Sequence, residues 1–334
     1  MPRERTFWMV LASLVLAGVV AGSFSRRAAT YQLSLAPGAP QPRPQEARER
    51  VWREASFERI ATVPVGLATL LRLGPGGDVY VLDSGRSQVL RLSPEGRVLT
   101  AYRDPSLGNP TDVAVGADGE VWICDLDHGA IVVFSAAGRL ARRIELDPPV
   151  GRLALSPGGG FVATGIAGGQ GLFRRYFVNG EPVGAFGALF PEELQTSIAA
   201  DGWIVPAADG IFYPCRNAGL LVSYGWDGRL RFFRQTIDPV PLPKVRVDAA
   251  GRQSVPDAMV VSISSSVVGN EFFVLTGERV LDVYDVGTGS YRYSLHPPEG
   301  DARYVVLTEE RLYSASKRGI TVWKPRSPER SSRR

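Results

Sequence analysis

A unit of roughly forty residues recurs along this 334-residue chain, and that self-similarity limits its folds more than any other feature. Gly77-Asp78-Val79-Tyr80-Val81-Leu82-Asp83 aligns with Gly119-Glu120-Val121-Trp122-Ile123-Cys124-Asp125. The match continues from Gln88–Val98 onto Ala130–Leu140. Each unit reads strand, glycine turn, strand, polar loop, strand, glycine turn, strand. The strand positions carry the β-branched and aromatic residues that suit a pleated, packed surface. Further copies begin at Gly159-Gly160-Phe161, Asp209-Gly210-Ile211, Asn270-Glu271-Phe272 and Glu310-Arg311-Leu312. The turn positions 77, 119, 159, 210, 270 and 310 are spaced 42, 40, 51, 60 and 40 apart. Four strands at that period make one blade of a β-propeller. The 37 Gly and 25 Pro, spread along the chain, fit many short strands joined by tight turns.

The last copy has only three strands before a charged tail begins at Arg326, and Phe57–Val63 stands ahead of the first copy as an unassigned strand. Pairing the two completes the last unit and covers two open edges, an economy that an open solenoid does not offer. The expected architecture is therefore all-β: a six-bladed β-propeller of four-stranded blades over residues 57–325. It is closed by the N-terminal strand and preceded by an N-terminal hydrophobic helix.

The first two units also resemble the NHL repeat. The residues that carry the likeness are Pro110-Thr111-Asp112-Val113-Ala114-Val115 on the inner strand, Asp118-Gly119 at the turn, Val121–Asp125 on the second strand, and Val132-Val133-Phe134-Ser135 in the hairpin. The likeness spans about residues 65–146. It implies a propeller whose relatives include binding sensors, lyases and lactonase-like enzymes, and so a shape rather than one activity.

Ahead of the repeats, Arg3 and Arg5 precede the apolar run of residues 7–24, which reads as an export signal or a membrane anchor within residues 1–27. Arg26 and Arg27 favour an uncleaved anchor and an extracytoplasmic body, periplasmic or secreted if the leader is cleaved. Residues 28–56 are rich in proline, with Pro37, Pro40, Pro42 and Pro44, and read as a semi-rigid spacer, with room for a helical turn within Glu46–Ser56. Residues 326–334 form a basic tail. The formal charge of +4 is concentrated at the two ends: residues 1–27 and residues 326–334 each carry a net +3, which leaves −2 for everything between. That distribution argues against nucleic acid as a partner, since the folded face that meets phosphates should carry the positive charge.

Cys124 and Cys215 occupy equivalent positions in non-adjacent repeats and read as small buried hydrophobes rather than a disulfide or part of a zinc site. No Gly-x-Ser-x-Gly elbow, P-loop or His-Glu-x-x-His signature occurs. In a propeller the second-to-third loops and the connections between repeats share one face, and this face holds the candidate site. Its residues are Asp83, Arg86, Asn109, Asp112, Asp125, Asp127, His128, Arg216 and Asn217. The two long spacings also fall in connections, Gly187–Asp201 and Thr236–Asp257, and form a wall or partial lid at the channel. The opposite face carries short glycine turns that offer little to bind with.

Three chemistries compete for these residues. Asn109, Asp112, Asp125 and Asp127 offer oxygen ligands to Ca²⁺, although Asp83 and Asp125 equally suit capping of the loop that follows each. His128 beside Asp127 is a general base or an ordinary surface residue. Arg86, Arg216, Arg279 and Arg318 bind an acidic ligand together, or each pairs with its own carboxylate. The favoured function is a non-enzymatic module binding a protein, peptide or glycan. The alternative is a Ca²⁺-assisted hydrolase or lyase of the lactonase-like type.

Overall fold

A computed structural model of the chain describes residues 29–165, 171–194, 198–249 and 252–326. The expected hydrophobic helix at residues 7–24 lies outside them, as does nearly all of the basic tail. Among the described residues no helix is long and apolar enough to cross a membrane.

The repeat units become antiparallel sheets. Sheet 1 comprises Ala68–Leu73, Val79–Asp83, Gln88–Leu92 and Val98–Arg103, and sheet 2 comprises Pro110–Val115, Val121–Asp125, Ala130–Phe134 and Leu140–Glu145. Sheet 3 is built from Val150–Leu155, Phe161–Gly165, Phe173–Tyr176 and Pro182–Phe186, and sheet 4 from Val205–Ala207, Gly210–Pro214, Leu220–Gly225 and Leu230–Gln235. Sheet 5 holds Ser264–Val268, Glu271–Leu275, Leu281–Asp285 and Tyr291–Leu295. Sheet 6 holds Tyr304–Leu307, Leu312–Ser316, Gly319–Pro325 and, as its outer strand, Phe57–Val63. The first strands of successive sheets lie against one another, and that of sheet 6 returns to that of sheet 1. This is the arrangement of a β-propeller.

Each second strand is packed between two neighbouring sheets, so it is apolar on both faces and shows no alternation: Val79–Asp83, Val121–Asp125 and Gly210–Pro214 are buried at every position. Aromatic rings fill the wedges between sheets, with Phe212 of sheet 4 stacked on Phe272 of sheet 5 at 4.8 Å. The recurring glycine between third and fourth strands has a packing reason. Gly180 has φ 91°, and a Cβ there would stand 2.4 Å from Ile144 of sheet 2. Gly96 repeats the contact against sheet 6, where a Cβ would meet Val322 at 2.9 Å and Val63 of the closing strand at 3.3 Å.

The closing strand pairs with Gly319–Pro325 in the register Val63↔Ile320 and Arg59↔Trp323. Val63 is buried with Val322 and Ile320 in the cluster shared by sheets 6 and 1.

The proline-rich segment departs from expectation. It is not a free spacer, and Glu46–Ser56 contains no helix. Ala29–Gln32 pairs with Lys244–Val247, which pairs with Gln253–Ser254 to make a further, three-stranded sheet. The arm then runs along the outer edges of sheets 4 and 5. Arg43 N–H donates to Phe233 O and Arg43 O accepts from Gln235 N–H, each at 2.9 Å, and Arg53 N–H donates to Ser294 O at 2.9 Å. Gln45 donates to Gln235 O at 2.6 Å and Gly289 O at 3.1 Å and accepts from Tyr291 N–H at 2.8 Å. Arg50 meets three carboxylates: Asp282 at 3.0 Å, Glu278 at 3.2 Å, and Asp238. The physical reason is that proline prevents a strand from pairing within itself, yet holds the chain extended with its carbonyls available to an open sheet edge.

The two long connections pack together with this arm. Leu189, Phe190, Ala199 and Ala200 of the first join Val245 of the second and Leu33 of the arm in one buried cluster over sheet 4. That cluster is continuous with the apolar packing of sheets 3 and 4, so the connections extend their core outward.

Candidate functional site

The candidate residues fall in three places. The first is the rim of sheet 1. Asp83 is fully buried and accepts from Gly66 N–H at 3.0 Å, Leu67 N–H at 2.8 Å and the Gln88 side chain at 3.3 Å. Burial alone would push its carboxyl up, but these bonds outweigh burial and hold it below the usual range. Arg86 lies 3.5 Å from Asp83 and is otherwise exposed.

Sheet 2 repeats the device. Asp125 accepts from Asn109 N–H at 3.0 Å and Gly108 N–H at 3.2 Å, meets His128 Nδ1 at 2.8 Å, and lies 3.4 Å from Arg143. Both aspartates are caps, with one correction: they cap the connection that leads into their own sheet, not the loop that follows. Asn109 is spent on Asp127 at 3.1 Å.

Asp112 is elsewhere, buried on the inner strand and gripped by Arg72 of sheet 1 through three bonds of 2.8, 3.0 and 3.1 Å. It also accepts from Val113 N–H at 2.9 Å and Leu153 N–H at 3.1 Å. The four oxygen donors expected to hold Ca²⁺ are thus committed to backbone amides, an arginine and a neighbouring amide, and do not converge. Among the described residues no group of three or more His, Cys, Asp or Glu side chains is placed to hold a metal. The residues present do not fit that ion. Cys124 and Cys215 are buried free thiols, and burial pushes Cys215 up to about 12.

The third place lies just beyond the second strand of sheet 4, where Arg216 follows Gly210–Pro214. Its backbone is clamped from two sides: Arg216 N–H donates to Asp201 O, at the end of the first insertion, at 2.7 Å, and Arg216 O accepts at 2.7 Å from Val261 N–H, in the stretch between the second insertion and sheet 5. Asn217 is structural, its amide donating to Ile198 O at 3.0 Å. The four loop arginines part company here. Arg318 lies 3.4 Å from Glu299, Arg86 pairs with Asp83, and Arg279 donates to Ala302 O at 2.6 Å. Arg216 has no carboxylate within ion-pair distance among the described residues, and its guanidinium sits 5.9 Å from the Trp203 ring centroid.

Sequence reasoning missed the companions of Arg216. Arg152, on the inner strand of sheet 3, lies 4.3 Å over the same ring. It donates to Thr111 O at 2.7 Å and approaches Asp201 at 3.7 Å. Burial acts to lower the Arg152 guanidinium, but the Asp201 and Asp112 carboxylates prevail and keep it charged. A signal existed: Arg152 stands at the repeat position of Asp112, facing Thr164 as Asp112 faces Cys124, where Leu70 is the apolar member.

The glycine-turn face is also richer than expected. A groove of ≈ 680 Å³ lies between the turns of sheets 3 and 4, lined by Phe177, Val178, Val183 and Trp226, and Phe177 is 57% exposed.

Residues 107–134 match the NHL repeat. Virginiamycin B lyase from Staphylococcus aureus superposes with a TM-score of 0.53 at 12% identity, over 82% of this chain and 99% of that one. A streptogramin B lyase gives 0.53 at 13% identity, over 83% of this chain and 100% of that one. No curated protein matches by sequence. These similarities at low identity concern the fold, and lyase activity remains a statement about those proteins. The shared architecture gives this chain the fold of a β-propeller, and residues 107–134 within it match an NHL repeat.

Proposed function

We propose that the chain is a binding module: a closed six-bladed propeller, its six four-stranded sheets serving as blades, that takes a protein or peptide ligand at the loop-rich end of its channel. The observation that carries this reading is the position of Arg216, its backbone held between Asp201 and Val261, with no carboxylate partner among the described residues. The other candidate polar groups are spent on the fold itself, which leaves a site equipped to hold a ligand and without an activated nucleophile. We further propose that residues 7–24 tether the module to a membrane on its extracytoplasmic side. The docked arm would then hold the body close to that membrane, with sheets 4 and 5 nearest the tether.

The competing reading is a metal-assisted lyase or hydrolase, favoured by the fold shared with the streptogramin lyases. One set of measurements separates the two. Purified protein is panned against a random peptide library displayed on phage, using wild type, Arg86→Ala with Arg216→Ala, and the turn-face variant Arg229→Ala. The binding reading expects peptides that the loop-face variant loses and the turn-face variant keeps. Stoichiometric Ca²⁺ in metal analysis, with a melting temperature that rises on adding Ca²⁺, would instead favour the enzyme.

A further inference from the structure

From the Arg152–Trp203–Arg216 stack we infer that the channel-end site is a carboxylate receptor, and that the ligand it takes is an acidic peptide segment. This rests on the binding reading and names its ligand.

The charge balance is the first argument. Two guanidinium groups share one indole, at 4.3 and 5.9 Å from its centroid, and Asp201 lies 3.7 Å from Arg152. Arg152 is offset by the Asp201 and Asp112 carboxylates, whereas Arg216 has no carboxylate within ion-pair distance among the described residues, and that uncompensated cation attracts an anion. Unused hydrogen-bonding capacity is the second. Arg152 Nε is buried with no partner, and so is the hydroxyl of Ser262, a residue 1% exposed. Ser262 borders the same ring, since its carbonyl accepts from Trp203 Nε1 at 3.3 Å, and its N–H donates to Arg216 O at 3.3 Å. Buried polar groups of native proteins normally find partners, so unpartnered ones gathered at one place point to a ligand that supplies acceptors.

The shape of the anion follows from the donors. Guanidinium groups match a planar carboxylate in a bidentate fork. A peptide is favoured over an acidic glycan because sugar recognition calls for an exposed aromatic platform, whereas Trp203 is 3% exposed and its faces are occupied by the two arginines. The Arg216 backbone is fixed between Asp201 O and the Val261 N–H, which holds its side chain in place for an anion.

The test is fluorescence polarisation with labelled hexaglutamate and hexaglutamine peptides, and a glucuronate oligosaccharide as competitor, on the full chain. Hexaglutamate should bind with an affinity that falls as salt rises, and Arg216→Gln should weaken it about tenfold, the loss of one charge-assisted contact. Arg229→Gln, on the opposite face, should bind as wild type does. Hexaglutamine should not bind. Circular dichroism confirms that each variant is folded, and Arg216→Lys, which keeps the charge but not the fork, should fall between. Failure of hexaglutamate to bind, equal binding by Arg216→Gln, or equal binding of hexaglutamine overturns the proposal. Arg216-dependent binding of the oligosaccharide alone overturns it in favour of a glycan. Neutral peptides recovered from the phage library and lost on loop-face substitution would sink the acidic ligand and leave the binding reading standing.

Discussion

At the scale of single residues, the side chains that look most chemical are the ones that hold the fold together. Asp112 shows this best. It is buried, bidentate with Arg72 across the joint between sheets 1 and 2, and capped by two backbone amides. Removing one member of such a pair strands a buried charge, and typically costs about 3–5 kcal/mol. Arg72→Ala should lower the free energy of unfolding by that amount in urea titration, whereas Arg229→Ala, at a side chain 90% exposed, should change it by less than about 0.5 kcal/mol. A small effect at Arg72 would mean that solvent reaches Asp112. The aspartate–histidine pair at Asp125 and His128 is the same lesson in a more tempting form. It resembles half of a catalytic triad, yet the carboxylate also receives two amides, and no hydroxyl or thiol nucleophile is hydrogen-bonded to the imidazole among the described residues.

At the scale of elements, the arm is the least expected part. Its hold on sheet 5 centres on Arg50, whose partner Asp282 is 2% exposed in its side chain and receives a bond from Ser294 at 2.6 Å. Burial pushes the Asp282 carboxyl up, against the lowering effect of Arg50 and Ser294. Arg50→Ala should therefore release the arm. Hydrogen exchange at the Arg53, Gln235 and Ser294 amides should accelerate at least about tenfold, while amides of sheet 2 stay protected. The sign of the pH effect follows as well. Without Arg50 the carboxyl titrates still higher in the folded state, so the variant's stability deficit should narrow as pH falls from about 8 to about 5, because the acid becomes neutral. A deficit that widened over that range would contradict the role given to Asp282.

At the scale of the whole molecule, stability depends on joining the chain's two ends. Phe57–Val63 covers the edge of Gly319–Pro325, and Val63 fills the joint with Val322 beneath Gly96. Deleting residues 1–63 opens the edge of sheet 6 and empties that joint, whereas deleting residues 1–56 removes the arm alone. The shorter deletion should keep one cooperative urea transition at a lowered midpoint. The longer one should lose cooperativity or aggregate through the exposed edge. Equal behaviour of the two would show that the strand is dispensable.

The amino-acid sequence alone determined the repeat, the strand order within each unit and the partner of the orphan strand. Turn glycines and apolar strands are local properties that recur at a readable period. It also marked Arg216 as one of four arginines on the loop face. That Arg216 meets no carboxylate among the described residues, and that Arg152, Trp203 and Ser262 gather beside it, was decided only in three dimensions. Those residues come from separate stretches of chain, and a period says which positions are equivalent, not which side chains meet across the joints between sheets. The arm was misread for the same reason. Its prolines fix an extended backbone, and whether an extended backbone stays in solvent or lies along a sheet edge depends on whether an unpaired edge is within reach.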